Sequence, residues 1–277
     1  MIQDIWPERL DNAYRDISPE DGDSVICFCG DRITARHEGG RLIFPKRHEI
    51  PGNAECVYAF SAAGHSWFLA LGSQPVPDGF GSMTLHELRG LPLTGNLDIF
   101  LAYTAFHLWK WYGGSRFCGA CGGRTELAHD ERAVTCPRCG NRIYPRINPA
   151  VIVGVVDGEY LLITRYKSGF RHNALIAGFT EIGETPEQTA AREVMEEVGL
   201  RVKNIQYYQS QPWGIASDML MGFYCEPDGD RTIRRDDREL GSAEWVRREE
   251  IILQPSDHSL TNAMMKRFRD GKPGTAP

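Results

Sequence analysis

The 277-residue sequence contains no uninterrupted apolar run long enough to cross a bilayer as a helix, so no membrane partner is expected. Its first sixteen residues, MIQDIWPERLDNAYRD, lack the basic head and apolar stretch of a secretory peptide. Its last seven, GKPGTAP, read as a frayed tail and not as a peroxisomal tripeptide, which leaves the cytoplasm as the expected location. An excess of positive charge is also missing. The balance of 31 Lys and Arg against 37 Asp and Glu gives a net charge of -6, the wrong sign for a general nucleic-acid binder. Repeats and low-complexity segments are absent as well. What remains is an ordinary globular composition, 42% hydrophobic and 25% charged, long enough for two domains and a small module.

Residues 23–75 alternate short β-branched or aromatic segments (SVICFCG, RITARHEGGRLIFP, ECVYAFSA, HSWFLALG) with Gly, Pro and Asp turns, which predicts strands. EGG at 38–40 suits a hairpin, and PVPDGFGS at 75–82 reads as a loop. The run 97–112, LDIFLAYTAFHLWKWY, is apolar and free of Gly and Pro. It predicts a mostly buried helix, ended by the glycines at 113 and 114. Residues 1–112 are therefore expected to form an N-terminal α+β domain, 113–146 a cysteine module and 147–277 a second domain. In the last part AVIVGVV, a DG turn at 157–158 and EYLLITRY predict a hairpin. VKNIQYYQS, MLMGFYC and SAEWV predict further strands, and 258–269 a closing helix, giving an α+β fold class.

Four of the eight cysteines, Cys118, Cys121, Cys136 and Cys139, form two C-x-x-C pairs separated by fourteen residues. In a reducing compartment this spacing points to metal before disulfide. Four thiolates make a closed tetrahedral Zn²⁺ site, which is structural because no coordination position is left open. Unligated buried thiols and an iron–sulfur centre are the alternatives. Cys27, Cys29, Cys56 and Cys225 are expected to be packing residues.

Lysine is missing from one place where it would be expected. The stretch GFTEIGETPEQTAAREVMEEVGL, 178–200, holds six glutamates and no lysine. Thr185 as N-cap, Pro186 at the first helical position and Gly199 beyond the last predict a helix between them, with Gly178 and Gly183 in the preceding loop. On that helix Glu193, Glu196 and Glu197 share one face, and Arg192 can pair with Glu196. A solvated helix face is one reading. A set of carboxylates held together by a hard divalent cation is the other, and it would remove the repulsion.

The stretch resembles the Nudix signature, G-x5-E-x7-R-E-U-x-E-E-x-G-U. Gly178, Glu184, Arg192, Glu193, Val194, Glu196, Glu197, Gly199 and Leu200 fill its nine fixed positions. The resemblance implies a C-terminal α/β/α sandwich that hydrolyses nucleoside diphosphate linkages with Mg²⁺ or Mn²⁺. Glu193, Glu196 and Glu197 would be the metal ligands, with the carbonyl of Ala177 as a further one, and Arg192 would hold the glutamates. Which carboxylate activates the water is left open.

A four-cysteine module directly before such a domain, with SQPW at Ser210, Gln211, Pro212 and Trp213, is similar to the NADH pyrophosphatase family of Nudix hydrolases. That resemblance implies cleavage of NAD(H) to nicotinamide mononucleotide and AMP, removal of NAD caps from RNA, and a homodimer. By it Arg89, Glu131, Tyr144, Phe179 and the SQPW residues would contact substrate, and Glu239 would add a metal ligand. The chain departs from the family's S-Q-P-W-P-F-P-x-S, reading S-Q-P-W-G-I-A-S-D, so that Gly214 is expected to loosen a loop that prolines would stiffen. The family's S-I-A near the last helix is here Ser259-Leu-Thr. ADP-ribose, another nucleotide sugar or a dinucleoside polyphosphate is therefore the competing substrate class. A nucleotide-sensing module without turnover is the competing function.

Overall fold

The computed structural model describes residues 1–169 and 171–271, so the expected tail beyond Gly271 lies outside the described residues. The chain divides into two compact units. One comprises Gln3–Arg146 and the short turn Gly214–Ser217, and the other comprises Met1–Ile2, Ile147–Trp213 and the chain from Asp218 on. The cysteine module thus belongs to the same unit as the N-terminal segment. Among the described residues no helix is long and apolar enough to cross a membrane.

In the first unit β1 (Leu10–Asp11), β2 (Ser24–Cys29), β3 (Arg32–Glu38), β4 (Arg41–Ile43), β5 (Cys56–Ala62), β6 (His65–Ser73) and β7 (Gly81–Thr84) form one sheet in the order β1-β5-β6-β2-β3-β4, with β7 on β3. The β3–β4 hairpin turns through Gly39 and Gly40, whose φ of 58° and 77° lie in the left-handed region. β7 takes the end of the stretch expected to be a loop, because Ser82 and Met83 pair with Thr34 and Ile33. A short helix α1 (Leu85–Leu88) precedes α2 (Leu97–Gly114). α2 is apolar nearly all round and correspondingly buried over most of Asp98 to Tyr112, with Thr104, His107 and Trp109 half-buried and Lys110 exposed. It runs through both glycines to Ser115, whose N–H bonds Trp111 O and Tyr112 O. Asp98 is tolerated inside because Arg41 bonds both its oxygens and Leu42 N–H adds a third bond. The cysteine module adds three two-residue strands, β8 (Glu126–Leu127), β9 (Val134–Thr135) and β10 (Arg142–Ile143).

The second unit is built on β11 (Asn148–Asp157), β12 (Tyr160–Tyr166), β13 (Ile176–Phe179), β14 (Val202–Trp213), β15 (Asp218–Pro227) and β16 (Leu240–Arg247). Their order is β14-β15-β11-β12-β16, with β13 on β11 and the β11–β15 pair parallel. Alternation along β11 sends Val151, Val153 and Val155 to one face and Ile152 to the other. Helix α3 (Pro186–Val198) covers the first face through Ala190, Val194 and Val198, and α4 (Leu260–Arg269) covers the second through Met264, Met265 and Phe268. The result is the expected α/β/α sandwich. Each of these large apolar side chains contributes roughly 1.5–3 kcal/mol on burial, so a charge at Val194 would detach α3.

Both ends of α3 are fixed by local chemistry. Thr185 accepts from Gln188 N–H while the Gln188 side chain returns to Thr185 N–H. Gly199 ends the helix at φ 70°, and a Cβ there would also meet Arg234 Cβ at 2.9 Å. The β15–β16 connection covers this end, Arg234 N–H bonding Val198 O and Asp236 N–H bonding Glu197 O, both at 2.8 Å. Gly178 lies in β13 and not in a loop, since it pairs with Val151.

Candidate active site

The cysteine module is two copies of one turn. Gly122 N–H bonds Cys118 O and Gly140 N–H bonds Cys136 O, both at 2.8 Å. The two glycines hold φ values of 72° and 73°, which a side chain would strain. The amides of Ala120 and Cys121 point at the Cys118 sulfur and favour its thiolate. Burial works against the Cys136 thiolate, and the amides of Cys139 and Arg138 outweigh it. One sulfur from each of the four cysteines lies within 4.8 Å of the other three. This is the donor set and convergence that tetrahedral Zn²⁺ requires. Of the other thiols Cys27 and Cys225 are buried and Cys56 half-buried, whereas Cys29 is exposed at the end of β2 and does not pack as expected.

On α3 the glutamates are graded by burial. Glu196 is exposed, Glu193 is largely covered, and Glu197 is only 2% exposed. Arg192 binds the outer two, its Nη1 donating to Glu193 Oε1 at 2.7 Å and to Glu196 Oε2 at 2.9 Å. Its Nε and Nη2 donate to Glu184, holding that carboxyl down to about 2. Nη2 also reaches Phe179 O, so one guanidinium joins α3 to the end of β13. Glu197 is treated differently. Its Oε1 accepts from Ala177 N–H at 3.2 Å, while its Oε2 is buried with no hydrogen-bond partner among the described residues. Burial is the main reason its pKa is pushed up to about 8, and the charges of Glu239 and Glu193 add to it. Burial likewise raises Glu193, against the pull of Arg192.

Gly178 explains itself here. A Cβ would lie 2.0 Å from the Glu193 carboxyl, so only glycine leaves room for that carboxylate against β13. Glu239 sits just before β16, exposed, and its charge acts on both Glu193 and Glu197. Among the described residues only the four cysteines bring their ligand atoms within 4.8 Å of one another, so the glutamates are not drawn together as they stand. The buried Glu197 oxygen without a donor, under the charges of Glu193 and Glu239, is still the donor chemistry a hard divalent cation satisfies. The residues present therefore fit one.

The remaining expected contacts divide between the two units. Phe179 stands 55% exposed at the end of β13, one residue from Gly178. In the other unit the Tyr144 hydroxyl donates to Glu131 Oε1 at 2.9 Å, and Arg142 donates to the same oxygen at 2.7 Å. Arg89 caps α1 beside Tyr103. In SQPW the Ser210 hydroxyl meets Tyr207 at 2.7 Å. Pro212 and Trp213 belong to β14, paired with Met219 and Asp218, and do not form the expected loop. Gln211 lies deeper than its neighbours. It is fully buried, with its amide oxygen accepting from Leu260 N–H and its Nε2 donating to His258 O, so it seats the start of α4. Ser259 is the N-cap of that helix. Gly214 is not a loosening residue either, because a Cβ there would lie 2.0 Å from Tyr103 O. Sequence reasoning missed the capping contacts of Arg234 and Asp236 on α3, and nothing in the charged run RRDDREL marks them.

Family models match in two adjacent blocks, the NADH pyrophosphatase zinc ribbon domain over residues 115–144 and the NUDIX domain over 146–268. The NAD-capped RNA hydrolase NudC of Pseudomonas aeruginosa PAO1 is 32% identical over 273 residues, covering 95% of each chain. The protein of that name from Yersinia enterocolitica is 36% identical over 169 residues, 60% of this chain and 64% of the other. Among solved structures a NUDIX hydrolase from Nitrosomonas europaea superposes with a TM-score of 0.51 at 24% identity, over 58% of this chain and 94% of that one, which speaks for the shared fold. With a full-length relative, a complete glutamate box and the ribbon directly before it, the chain belongs to the NADH pyrophosphatase (NudC) family of Nudix hydrolases.

Proposed function

We propose that the protein hydrolyses the pyrophosphate bond of NAD(H), releasing nicotinamide mononucleotide and AMP, and that it removes the same group from NAD-capped RNA. The observation that carries this reading is the orphaned, buried Oε2 of Glu197 within a complete Nudix box, in a chain whose NudC relative spans its length. Glu193, Glu196, Glu197 and Glu239, with the Ala177 carbonyl, would hold Mg²⁺ or Mn²⁺. The bound cation supplies charge neutralisation at the phosphate oxygens and acidifies water. The chain's own part is to place and deprotonate. Water oxygen bonds to one phosphorus, the bond from that phosphorus to the bridging oxygen breaks, and a carboxylate of the set takes the water proton. Arg192 keeps Glu193 and Glu196 from swinging away, and Phe179 offers a face on which a base stacks. Arg89, Glu131, Tyr144, Ser210 and Trp213 are proposed to contact the remainder of the substrate. Four paired thiols suit the reducing cytoplasm, and a homodimer is proposed from the family likeness, to be read by light scattering.

The test is product analysis with NADH and Mn²⁺, run beside NAD-capped RNA, ADP-ribose and diadenosine polyphosphates. Nicotinamide mononucleotide plus AMP is expected. A clear preference for a substrate without nicotinamide would transfer the assignment to the second class, which the altered turn GIAS at 214–217 favours. No turnover of any nucleotide would leave a sensor.

A further inference from the structure

Strand β12 ends beside the glutamates, and its pairing with β16 slips there. Arg165 faces Ser242, but Tyr166 faces Leu240, which leaves Gly241 as an extra residue on β16. Bulges of this kind re-aim neighbouring side chains and recur next to active sites. The next residue ties the two segments together. Lys167 N–H donates to Glu239 O at 3.0 Å, and Lys167 Nζ donates to Asp237 O at 3.2 Å.

The Tyr166 ring packs, partly buried, against the core under α3. Its hydroxyl is a proton donor, and the charges of Glu197, Glu239 and Glu193 act on it, after burial, to push its pKa up. It makes no hydrogen bond to another described residue. The ligand candidates differ in how they are restrained. Glu193 and Glu196 are held by Arg192, and Glu197 by Ala177 N–H. The Glu239 carboxylate has no such partner among the described residues, although its backbone is fastened to the residue after Tyr166. An unrestrained acceptor and an unused donor therefore sit on segments that the backbone locks together.

We propose, resting on the reading that Glu239 helps hold the catalytic cation, that Tyr166 is a positioning residue: its hydroxyl donates to one oxygen of Glu239 and turns the other toward the cation. Partners of this kind behind a metal ligand fix its orientation, and their loss weakens metal binding by about 10–100-fold.

Mn²⁺ binding to the full chain, followed by electron paramagnetic resonance without nucleotide, tests this. Y166F is expected to bind Mn²⁺ about ten-fold more weakly, and the metal-free melting temperature should stay near that of the parent because the ring keeps its packing. Y166F/E239Q should bind no more weakly than E239Q alone, since the hydroxyl acts only through Glu239. Unchanged Mn²⁺ affinity in Y166F, or losses that add in the double variant, overturns the proposal. Because no substrate is present, a failure of the NAD(H) assignment shows separately, in product analysis of the parent protein.

Discussion

In the ribbon four sulfurs already lie within 4.8 Å of one another. On α3 the oxygens of Glu193 and Glu196 are taken up by Arg192, and Glu197 is held apart by burial. Both sets place like-charged groups on neighbouring positions, but only the sulfurs come within 4.8 Å of one another among the described residues, and the chain manages the repulsion differently in each. The thiols are steered by backbone amides of their own tight turns, so the ligand set is closed and complete. The carboxylates are managed by a guanidinium on one side and by a raised affinity for a proton on the other. The proton on Glu197 can leave when a cation arrives. The difference matches a part that supports the fold and a part that must admit substrate and release product.

Removing one ligand from each cluster should break that comparison most sharply. Cys136→Ser is expected to lose zinc and the fold of the ribbon, because structural zinc binding is worth on the order of 10 kcal/mol. Metal analysis with circular dichroism reads it, and a well-folded variant without zinc would make the ribbon's metal dispensable. Glu197→Gln should leave the fold intact and lower kcat by about 10³-fold, or about 4 kcal/mol. Loss of secondary structure instead would place Glu197 in the same class as the cysteines.

Smaller effects sharpen the contrast. Gly178→Ala forces a Cβ into the space of the Glu193 carboxyl, and about a ten- to hundred-fold loss of kcat/KM is expected. Near-parent activity would mean that Glu193 takes up another position at no cost. The metal-free protein offers a pH test. Folded Glu197 keeps its proton up to about 8, whereas the unfolded side chain releases it at its ordinary value of 4.5. The folded state then binds more protons between these values, so stability falls as pH rises through that window and levels off above it. Relative to the parent, metal-free Glu197→Gln should gain on the order of 2 kcal/mol at pH 9 and little at pH 4. Melting curves at the two pH values check this, and an equal shift at both would sink it. Least of all, Phe179→Ala should raise KM about three- to ten-fold, with kcat little changed, for loss of about 1 kcal/mol of stacking.

Much of this was legible because its signals are local. The C-x-x-C pairs, the cap at Thr185 and the left-handed stop at Gly199 each act within a few residues, and they locate the ribbon and α3 from the chain alone. The features that stayed hidden depend on partners distant in sequence. Pro212 suggests a loop, yet β14 is the outer strand of its sheet, where a missing N–H is tolerated. Nothing in the sequence shows that His258 and Leu260 use both ends of the Gln211 amide. Gly214 signals slack by composition, and only the approach of Tyr103 O shows that it is there for lack of a side chain. Whether Glu239 belongs with the glutamates could not be read from RRDDREL, whose charges form several local ion pairs.

The anchoring of the β15–β16 connection on α3 divides that segment into a part free to vary in length and a part that is not. Upstream of Arg234 the chain is held again by Arg231, which pairs with Asp157 and whose carbonyl accepts from Trp245 Nε1, and by Ile233 against the core, so only the exposed turn at Gly229 and Asp230 can change length while the bonds to Val198 O and Glu197 O reset the path. Between Asp236 and Glu239 a single added residue would shift the downstream carboxylate along the chain relative to the helix. Length changes among related chains are therefore expected to accumulate at that turn and to be shunned after Arg234.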